Sequence, residues 1–90
     1  MDYLAFLTRL KDNNLAINPA LVLLYIDANP GCKQKDMQAP LNMNRNVLSQ
    51  CCLMLINKEF IYQDGPYIAK EHFIRKKGDV ILTKIKNEHS

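Results

Sequence analysis

The stretch NMNRNVLSQCC, residues 42–52, holds the side chains with the most obvious capacity for chemistry. Cys51 and Cys52 are neighbours, and on a helix neighbouring side chains point about 100° apart, which is a poor geometry for a shared metal ion or a disulfide. The chain has no C-x-x-C motif and only two histidines, His72 and His89, whereas a zinc site needs several ligands at suitable spacing. We therefore predict no metal and no cofactor, and we interpret the paired thiols as core-filling side chains.

Cys32 is the third thiol and the one candidate for redox sensing. It precedes a predicted helix start, and a helix N-terminus lowers the pKa of a nearby thiol. The alternative is a structural role, which is common for buried thiols. The N-terminal sequence MDYLAF has no basic segment typical of a secretory signal, and the longest apolar run, ALVLLYI, is too short to cross a bilayer. We therefore expect reduced thiols, a cytoplasmic location and no membrane contact.

The polar residues beside the paired thiols suggest binding rather than redox chemistry. A helix over residues 44–57 is predicted here, with Asn44 as its cap. Its apolar face has helical spacing and consists of Leu48, Cys51, Cys52 and Leu55. Its polar face consists of Arg45, Asn46, Ser49 and Gln50. Arginine, asparagine and glutamine can form paired hydrogen bonds with guanine and adenine edges, and no acidic residue occurs between Asp36 and Glu59. The polar face is either a DNA contact or ordinary solvated surface, and we favour DNA contact.

Basic residues occur on both sides of this helix in the sequence. Lys33 and Lys35 open the preceding helix, where cations and backbone amides suit a phosphate. A second group follows in and after a predicted β-hairpin, whose tip QDGPY contains an acid: Lys70, Arg75, Lys76 and Lys77. This second group is either a patch that contacts the DNA backbone or a solvated helix start, and both interpretations stay open.

The hydrophobic pattern predicts the elements that position these residues. Ninety residues, 48% apolar and 23% charged, with a net charge of +3, indicate one small domain over residues 1–90. The pattern predicts a helix over residues 2–11, a helix capped by Asn18 with Pro19 at its first position, and a short helix that Pro40 ends. The helix over 44–57, a hairpin over about 60–75 and a terminal helix complete the order α-α-α-turn-α-β-β-α. The predicted fold is mainly α with a small β-hairpin (α+β), which is a winged helix-turn-helix.

The central part of the chain resembles the MarR-type winged helix-turn-helix regulators. The sequence QKDM, from Gln34, stands where that family has Q-K-E-L, and NRN, from Asn44, stands where Ser-Arg-Ser opens its recognition helix. The segment LINKEFI matches the family's L-x-x-x-G-L-I, with Glu59 in place of glycine, and Asn42 replaces the usual turn glycine. FIRKKGDVI is similar to the segment that closes the wing. The resemblance covers roughly residues 15–85 and implies DNA contact by Gln34 and Asn44 as well, with a recognition helix over 44–57.

These observations together predict a sequence-specific double-stranded DNA-binding protein. We expect a transcriptional regulator that acts as a homodimer, with the helix from Asn44 in the major groove. The predicted dimer surface lies on the terminal helices, at Tyr3, Phe6, Leu7, Leu10, Ile81 and Ile85. No Ser/His/Asp set, P-loop or dinucleotide fingerprint occurs, so we predict no enzyme, and we expect no small-molecule effector. The alternatives are a winged-helix protein–protein interaction module and a DNA-segregation or replication accessory factor.

Overall fold

The computed structural model describes residues 16–66 and 69–87, the side chains of residues 85–87 excepted. Its elements in chain order are α1 (Ile17–Ala28), β1 (Cys32–Lys33), α2 (Gln34–Leu41), α3 (Arg45–Asn57), β2 (Ile61–Asp64), β3 (Glu71–Ile74) and α4 (Lys76–Asn87). The α+β class is confirmed, and so are the helix pair, the hairpin and the helix that follows it. The predicted helix over residues 2–11 lies outside the described residues.

Helix α1 forms the centre of the core. Val22, Leu23 and Ile26 are fully buried, and the helix packs against α2, α3, β3 and α4. The prediction that Asn18 caps this helix is wrong, because Ala16 occupies the cap position and makes no side-chain cap. Pro19 still lies in the first turn, where its missing N–H leaves no helical hydrogen bond unmade. Among the described residues no helix has both the length and the apolar character needed to span a membrane.

Three antiparallel strands form the wing, in the spatial order β1-β3-β2. His72 of β3 pairs with Gln63 of β2 on one side and with Cys32 of β1 on the other. The sequence pattern predicts only the two hairpin strands, and β1 is a third strand in addition to them. Strand β1 forms because Gly31, with φ of 86°, turns the chain after α1, and its N–H donates to the His72 carbonyl oxygen at 2.9 Å. The chain thus enters the helix-turn-helix directly from the sheet.

Helix α2 continues past Pro40 to Leu41, so the prediction that Pro40 ends it is wrong. A proline inside a helix leaves the carbonyl four residues earlier without its backbone donor, and here that carbonyl belongs to Asp36. The hydroxyl of Tyr25 on α1 donates to the Asp36 carbonyl oxygen at 3.4 Å. A side chain from a neighbouring helix therefore replaces the missing N–H, while fully buried Met37 holds α2 on the core.

The bounds and the packing of α3 agree with the prediction. Asn42 takes the left-handed conformation that ends α2, and the side-chain oxygen of Asn44 accepts a hydrogen bond from the Val47 N–H at 2.9 Å. All four residues of the predicted apolar face are buried, Leu48 and Leu55 completely. Burial of a leucine side chain stabilises a fold by about 1.5–3 kcal/mol. Helix α3 is therefore fixed by its cap and its buried side, and its other side faces solvent.

Helix α4 begins where the chain leaves the sheet, against the backbone before β2. The Arg75 N–H donates to the Phe60 carbonyl oxygen at 2.9 Å. A Cβ atom on Gly78 would overlap that same carbonyl oxygen. Only glycine fits at this position, and Gly78 therefore sets how closely α4 approaches the base of the wing.

We expect Gly78→Ala to destabilise the fold, although alanine is intrinsically the better helix former by about 1 kcal/mol. The overlap is with backbone atoms, which cannot rotate away, and overpacking of this kind costs about 1–3 kcal/mol or more. Urea unfolding followed by circular dichroism measures the change in the free energy of unfolding. Thr83→Ala, at an exposed position of the same helix, is the control and should leave stability unchanged or slightly higher. Equal stability of the two variants would contradict the close backbone approach.

Candidate nucleic-acid interface

The polar face of α3, predicted from the sequence, is a single solvent-exposed surface in the structure. Its four residues are all exposed: Arg45, Asn46, Ser49 and Gln50. At about 100° per residue, Asn46 and Gln50 lie opposite the buried Leu48, whereas Arg45 and Ser49 lie between these two sides of the helix. The buried residues hold the helix on the core without using the polar side chains. This arrangement presents arginine and amide groups on a rigid helix, which is the geometry that reading of base edges in a major groove requires.

A cleft of about 520 Å³ opens between α2, α3 and the wing. Its lining residues are Lys33, Gln34, Lys35, Gln38, Arg45, Ser49, Gln63, Ala69, Lys70 and His72. Four of these residues are lysine or arginine, and none of these described residues is acidic. We call this region the cationic cleft. It brings together six of the twelve residues predicted to contact DNA, although they come from distant parts of the sequence.

Gln34 connects α2 to the first turns of α3. Its side-chain NH₂ donates to the Ser49 hydroxyl at 2.9 Å and also to the Arg45 carbonyl oxygen at 3.4 Å. Two residues predicted as separate DNA contacts therefore bond to each other, and Gln34 positions the polar face from within the protein. The one acid of α2, Asp36, accepts a hydrogen bond from the Lys33 N–H at 3.0 Å. Its carboxylate stabilises the start of α2 and does not line the cationic cleft.

His72 also lines the cationic cleft, although it is only 1% exposed. Its Nδ1 lies 2.9 Å from the Cys32 carbonyl oxygen, and its Nε2 lies 3.0 Å from the side-chain nitrogen of Gln63. Both ring nitrogens of His72 therefore have a polar partner within hydrogen-bonding distance. Sequence reasoning missed this residue, together with Gln38, Gln63 and Ala69, as part of the site. The alternation of buried and exposed positions in the strand EHFI, which turns His72 inward, is a sequence signal that could have identified it.

Three of the predicted DNA contacts follow the wing: Arg75, Lys76 and Lys77. They are not among the residues that line the cleft, and strand β3 separates them from Lys70. The Arg75 guanidinium lies 5.7 Å from the centre of the Tyr62 ring. The Lys77 ammonium lies 5.9 Å from the centre of the Phe60 ring. Two of the three cations are therefore engaged with aromatic faces of the protein itself.

Burial raises the pKa of all three thiols. It raises the pKa of Cys52 to about 12, and it is also the main cause of the raised pKa values of Cys51 and Cys32. For Cys32 the negative charge of Asp36 adds to the effect. The expectation that a helix start lowers the pKa of Cys32 is therefore wrong, because this residue lies buried in β1, ahead of α2. All three thiols are buried and unbridged, and no group of three or more potential metal ligands occurs within residues 16–66 and 69–87.

Solved structures share this fold, although no family model matches the chain and no curated protein is similar to it in sequence. The MarR family transcription regulator SP03579 superposes with a TM-score of 0.87 at 16% identity, over 94% of this chain and 58% of that chain. A mutant of S. aureus MepR bound to an oligodeoxyribonucleotide gives a TM-score of 0.86 at 17% identity, over 94% of this chain and 65% of that chain. SSV1 F-93 gives 0.66 at 20% identity, over 82% of this chain and 87% of that chain.

The chain therefore has the winged helix-turn-helix fold of the MarR family transcription regulators. This finding confirms the resemblance predicted from the sequence at the level of the fold. The chain spans less than two thirds of the length of the two regulators given first, so the likeness describes the helix-turn-helix and wing rather than an activity.

We expect the native thiols to be poorly reactive at neutral pH, and Cys52 the least reactive of them. A thiol reacts through its thiolate, and a raised pKa lowers the thiolate fraction at any pH below that pKa. Cys51, which lines a second cavity of about 490 Å³ beside the start of α1, should react sooner than Cys52. Timed alkylation with iodoacetamide, followed by peptide mass spectrometry, measures each rate. The urea-unfolded chain is the control, in which the three rates should become similar. A native Cys52 that reacts as fast as in urea would contradict the buried position.

Proposed function

We propose that this chain is a sequence-specific double-stranded DNA-binding protein that regulates transcription. In the proposed complex α3 lies in the major groove, and the cationic cleft holds the sugar-phosphate backbone beside it. The observation that carries the proposal is the adjacency of these two surfaces. Arg45 belongs to both, since it stands on the polar face of α3 and lines the cleft. The proposed activity is binding, and no catalytic step is part of it.

The polar face supports recognition of bases. Arg45 can form a paired hydrogen bond with guanine, and Asn46 and Gln50 can do so with adenine. Each good pair of this kind contributes about 1–3 kcal/mol of discrimination against the wrong base. Ser49 is already bonded to Gln34, so we assign it a smaller share of recognition. Asn44 is occupied as the helix cap, and a contact from it to DNA would use the other atom of its amide.

The cationic cleft supports contact with phosphate. Lys33, Lys35, Arg45 and Lys70 all line it, and the described residues that line it include no aspartate or glutamate. At a separation of 4 Å a cation and a phosphate attract by about 1 kcal/mol in water, and by about 4 kcal/mol at the lower effective dielectric of a protein surface. The release of counterions from DNA adds a term that makes such binding fall with salt. The wing and the helix-turn-helix would therefore both contact the DNA backbone.

The basic residues at the far end of the wing have a lesser role in the proposal. Arg75 and Lys77 lie over aromatic rings. Lys76 is exposed, and it is the residue of this group to which we assign a contact with the DNA backbone. A further support comes from the structural neighbours, because one protein of the same fold, the MepR mutant, has an oligodeoxyribonucleotide bound. That contact is a property of the MepR mutant, and it supports the proposal because the two proteins share a fold.

We also propose that the protein acts as a homodimer. One recognition helix covers few base pairs, and two copies on adjacent half-sites supply the specificity that a regulator needs. Of the residues predicted for the dimer surface, Ile81 is partly buried against the core, and the other positions or their side chains lie outside the described part of the chain. Val80, next to Ile81, is 48% exposed and extends the predicted surface on α4.

A second candidate function is a protein–protein interaction module. It is favoured by the outer face of the sheet, where Tyr62 is 40% exposed and stacks on Phe73 with ring centres 5.3 Å apart. Exposed tyrosine and arginine side chains are enriched at protein interfaces. The two candidates differ in salt dependence, because affinity for duplex DNA falls steeply with salt, whereas an interface built on aromatic rings changes little.

Substitution of the cleft and the polar face should separate the two parts of the proposed DNA contact. We expect Arg45→Ala to lose about 1–3 kcal/mol of affinity for a duplex selected from a random pool, and less for unrelated DNA. Lys35→Ala should weaken binding to all sequences alike and reduce the salt slope by about 1. Fluorescence anisotropy over a series of salt concentrations measures both effects.

Lys84→Ala is the matched control, because it removes an exposed cation of α4 that does not line the cleft. Its affinity and salt slope should equal those of the unchanged protein. If Arg45→Ala and Lys35→Ala both bind DNA as tightly as the unchanged protein, and with the same salt dependence, the proposed site is wrong.

The proposed homodimer can be tested with light scattering after size exclusion, which should give twice the mass of the chain. Ile85→Glu places a charge in the predicted apolar dimer surface, so we expect it to shift the mass to that of a monomer. Lys84→Glu changes the charge at the neighbouring position and should leave the dimer intact. A monomer for the unchanged protein at high concentration would refute the dimer.

A further inference from the structure

Leu53 is exposed on a helix whose other leucines are buried. It is 59% exposed, more than any other large apolar side chain among the described residues, whereas Leu48 and Leu55 of the same helix are fully buried. The third turn of α3 therefore places a branched apolar side chain in solvent. No requirement of the fold explains a leucine at this position.

Leu53 lies on the same side of α3 as the polar face, one turn beyond Ser49 and Gln50. At about 100° per residue, it lies roughly 200° around the helix axis from Leu55 and about 140° from Leu48. It follows Ser49 by four residues, Gln50 by three and Asn46 by seven, which are the spacings of side chains that share one helix face. The apolar side chain therefore extends, by one turn, a helix face whose polar groups can bond to base edges.

Leu53 lies within the part of α3 that carries the polar face. Eight residues separate it from Arg45, and at about 1.5 Å per residue this is a span of roughly 12 Å along the axis. The major groove of B-DNA admits an α-helix. If the polar face of α3 lies against the base edges, Leu53 faces them about two turns beyond Arg45.

We infer that Leu53 is a specificity-determining residue that packs on the 5-methyl group of a thymine. This inference rests on the proposed DNA-binding function and names one base that the polar face of α3 would select. The thymine methyl is the one apolar group that the four base pairs present in the major groove. A leucine among Asn46, Ser49 and Gln50 complements it, because the amides satisfy polar base edges while the leucine removes the methyl group from water.

Removal of the methyl group from the DNA tests the contact directly. A duplex is selected from a random pool with the unchanged protein, and each thymine is then replaced in turn by deoxyuridine, which lacks the methyl group and keeps the same hydrogen-bonding groups. One replacement should weaken binding roughly three- to tenfold, the scale of one buried methyl or two. Leu53→Ala should bind the thymine duplex more weakly by a similar factor and show no loss on the same replacement.

The comparison of the two proteins on the two duplexes forms a double-mutant cycle, which isolates the contact between side chain and methyl group. Thr83→Ala is the control, since it truncates an exposed side chain of α4 outside the proposed DNA and dimer surfaces and should keep the preference for thymine over deoxyuridine. Circular dichroism should show that Leu53→Ala keeps its fold, because the side chain is outside the core.

Three outcomes would overturn the inference, and they are distinguishable. If the unchanged protein binds its selected duplex equally well after every replacement, the methyl contact fails while the proposed function stands. If Leu53→Ala keeps the full preference for thymine, another residue reads the methyl group. If no duplex is enriched from the pool, the proposed function itself fails and this inference fails with it.

Discussion

One buried imidazole holds the wing against the helix-turn-helix. His72 lies on the central strand β3 and bonds to both of its neighbours, to the Cys32 carbonyl of β1 and to the Gln63 amide of β2. A buried polar group that loses its partner costs about 1–3 kcal/mol, so a shift in the register of either strand pair that removes a partner of His72 would cost free energy of this size. Strand β1 leads directly into α2. The same hydrogen bonds therefore fix the separation between Lys33 on one side of the cationic cleft and Lys70 on the other.

The helix-turn-helix is held by polar contacts of the same kind, in which a side chain of one element satisfies the backbone or hydroxyl of another. The Tyr25 hydroxyl of α1 donates to the Asp36 carbonyl oxygen, which Pro40 leaves without a backbone donor, and α2 continues to the turn at Asn42. Gln34 of α2 then donates to Ser49 of α3. The core supplies most of the stability through burial, but these few directional bonds determine how α2 and α3 are oriented with respect to each other.

The parts of the fold that were predictable from the sequence are those whose causes are local. The helical spacing from Leu48 to Leu55 and the cap at Asn44 lie within a dozen residues, and both the bounds and the buried side of α3 followed from them. The parts that were missed have causes far away in the sequence. Strand β1 exists because its partner lies 40 residues later, and Pro40 is tolerated because of a hydroxyl on another helix. The raised pKa of Cys32 was not predictable, because its burial is a property of the assembled sheet.

The candidate site divides in the same way. The polar face of α3 is one stretch of helix and could be predicted from periodicity alone, whereas the cationic cleft is formed only when three elements meet. Lys35 of α2 and Lys70 before β3 both line it, while Arg75 and Lys77 after β3 lie over aromatic rings instead. The sequence shows the sign and number of the charges, and tertiary contacts decide which of them converge.

The division between a fixed and a free side of α3 has a consequence for recognition in the proposed complex. Asn46, Gln50 and Leu53 have no structural partner described, so their identity can change without an effect on the fold. Ser49 is different, because its hydroxyl also receives the bond from Gln34. Arg45 is shared by the polar face and the cleft, and a change there alters base choice and backbone contact together. Affinity and specificity are therefore separable at Lys35 and at Asn46, but they are coupled at Arg45.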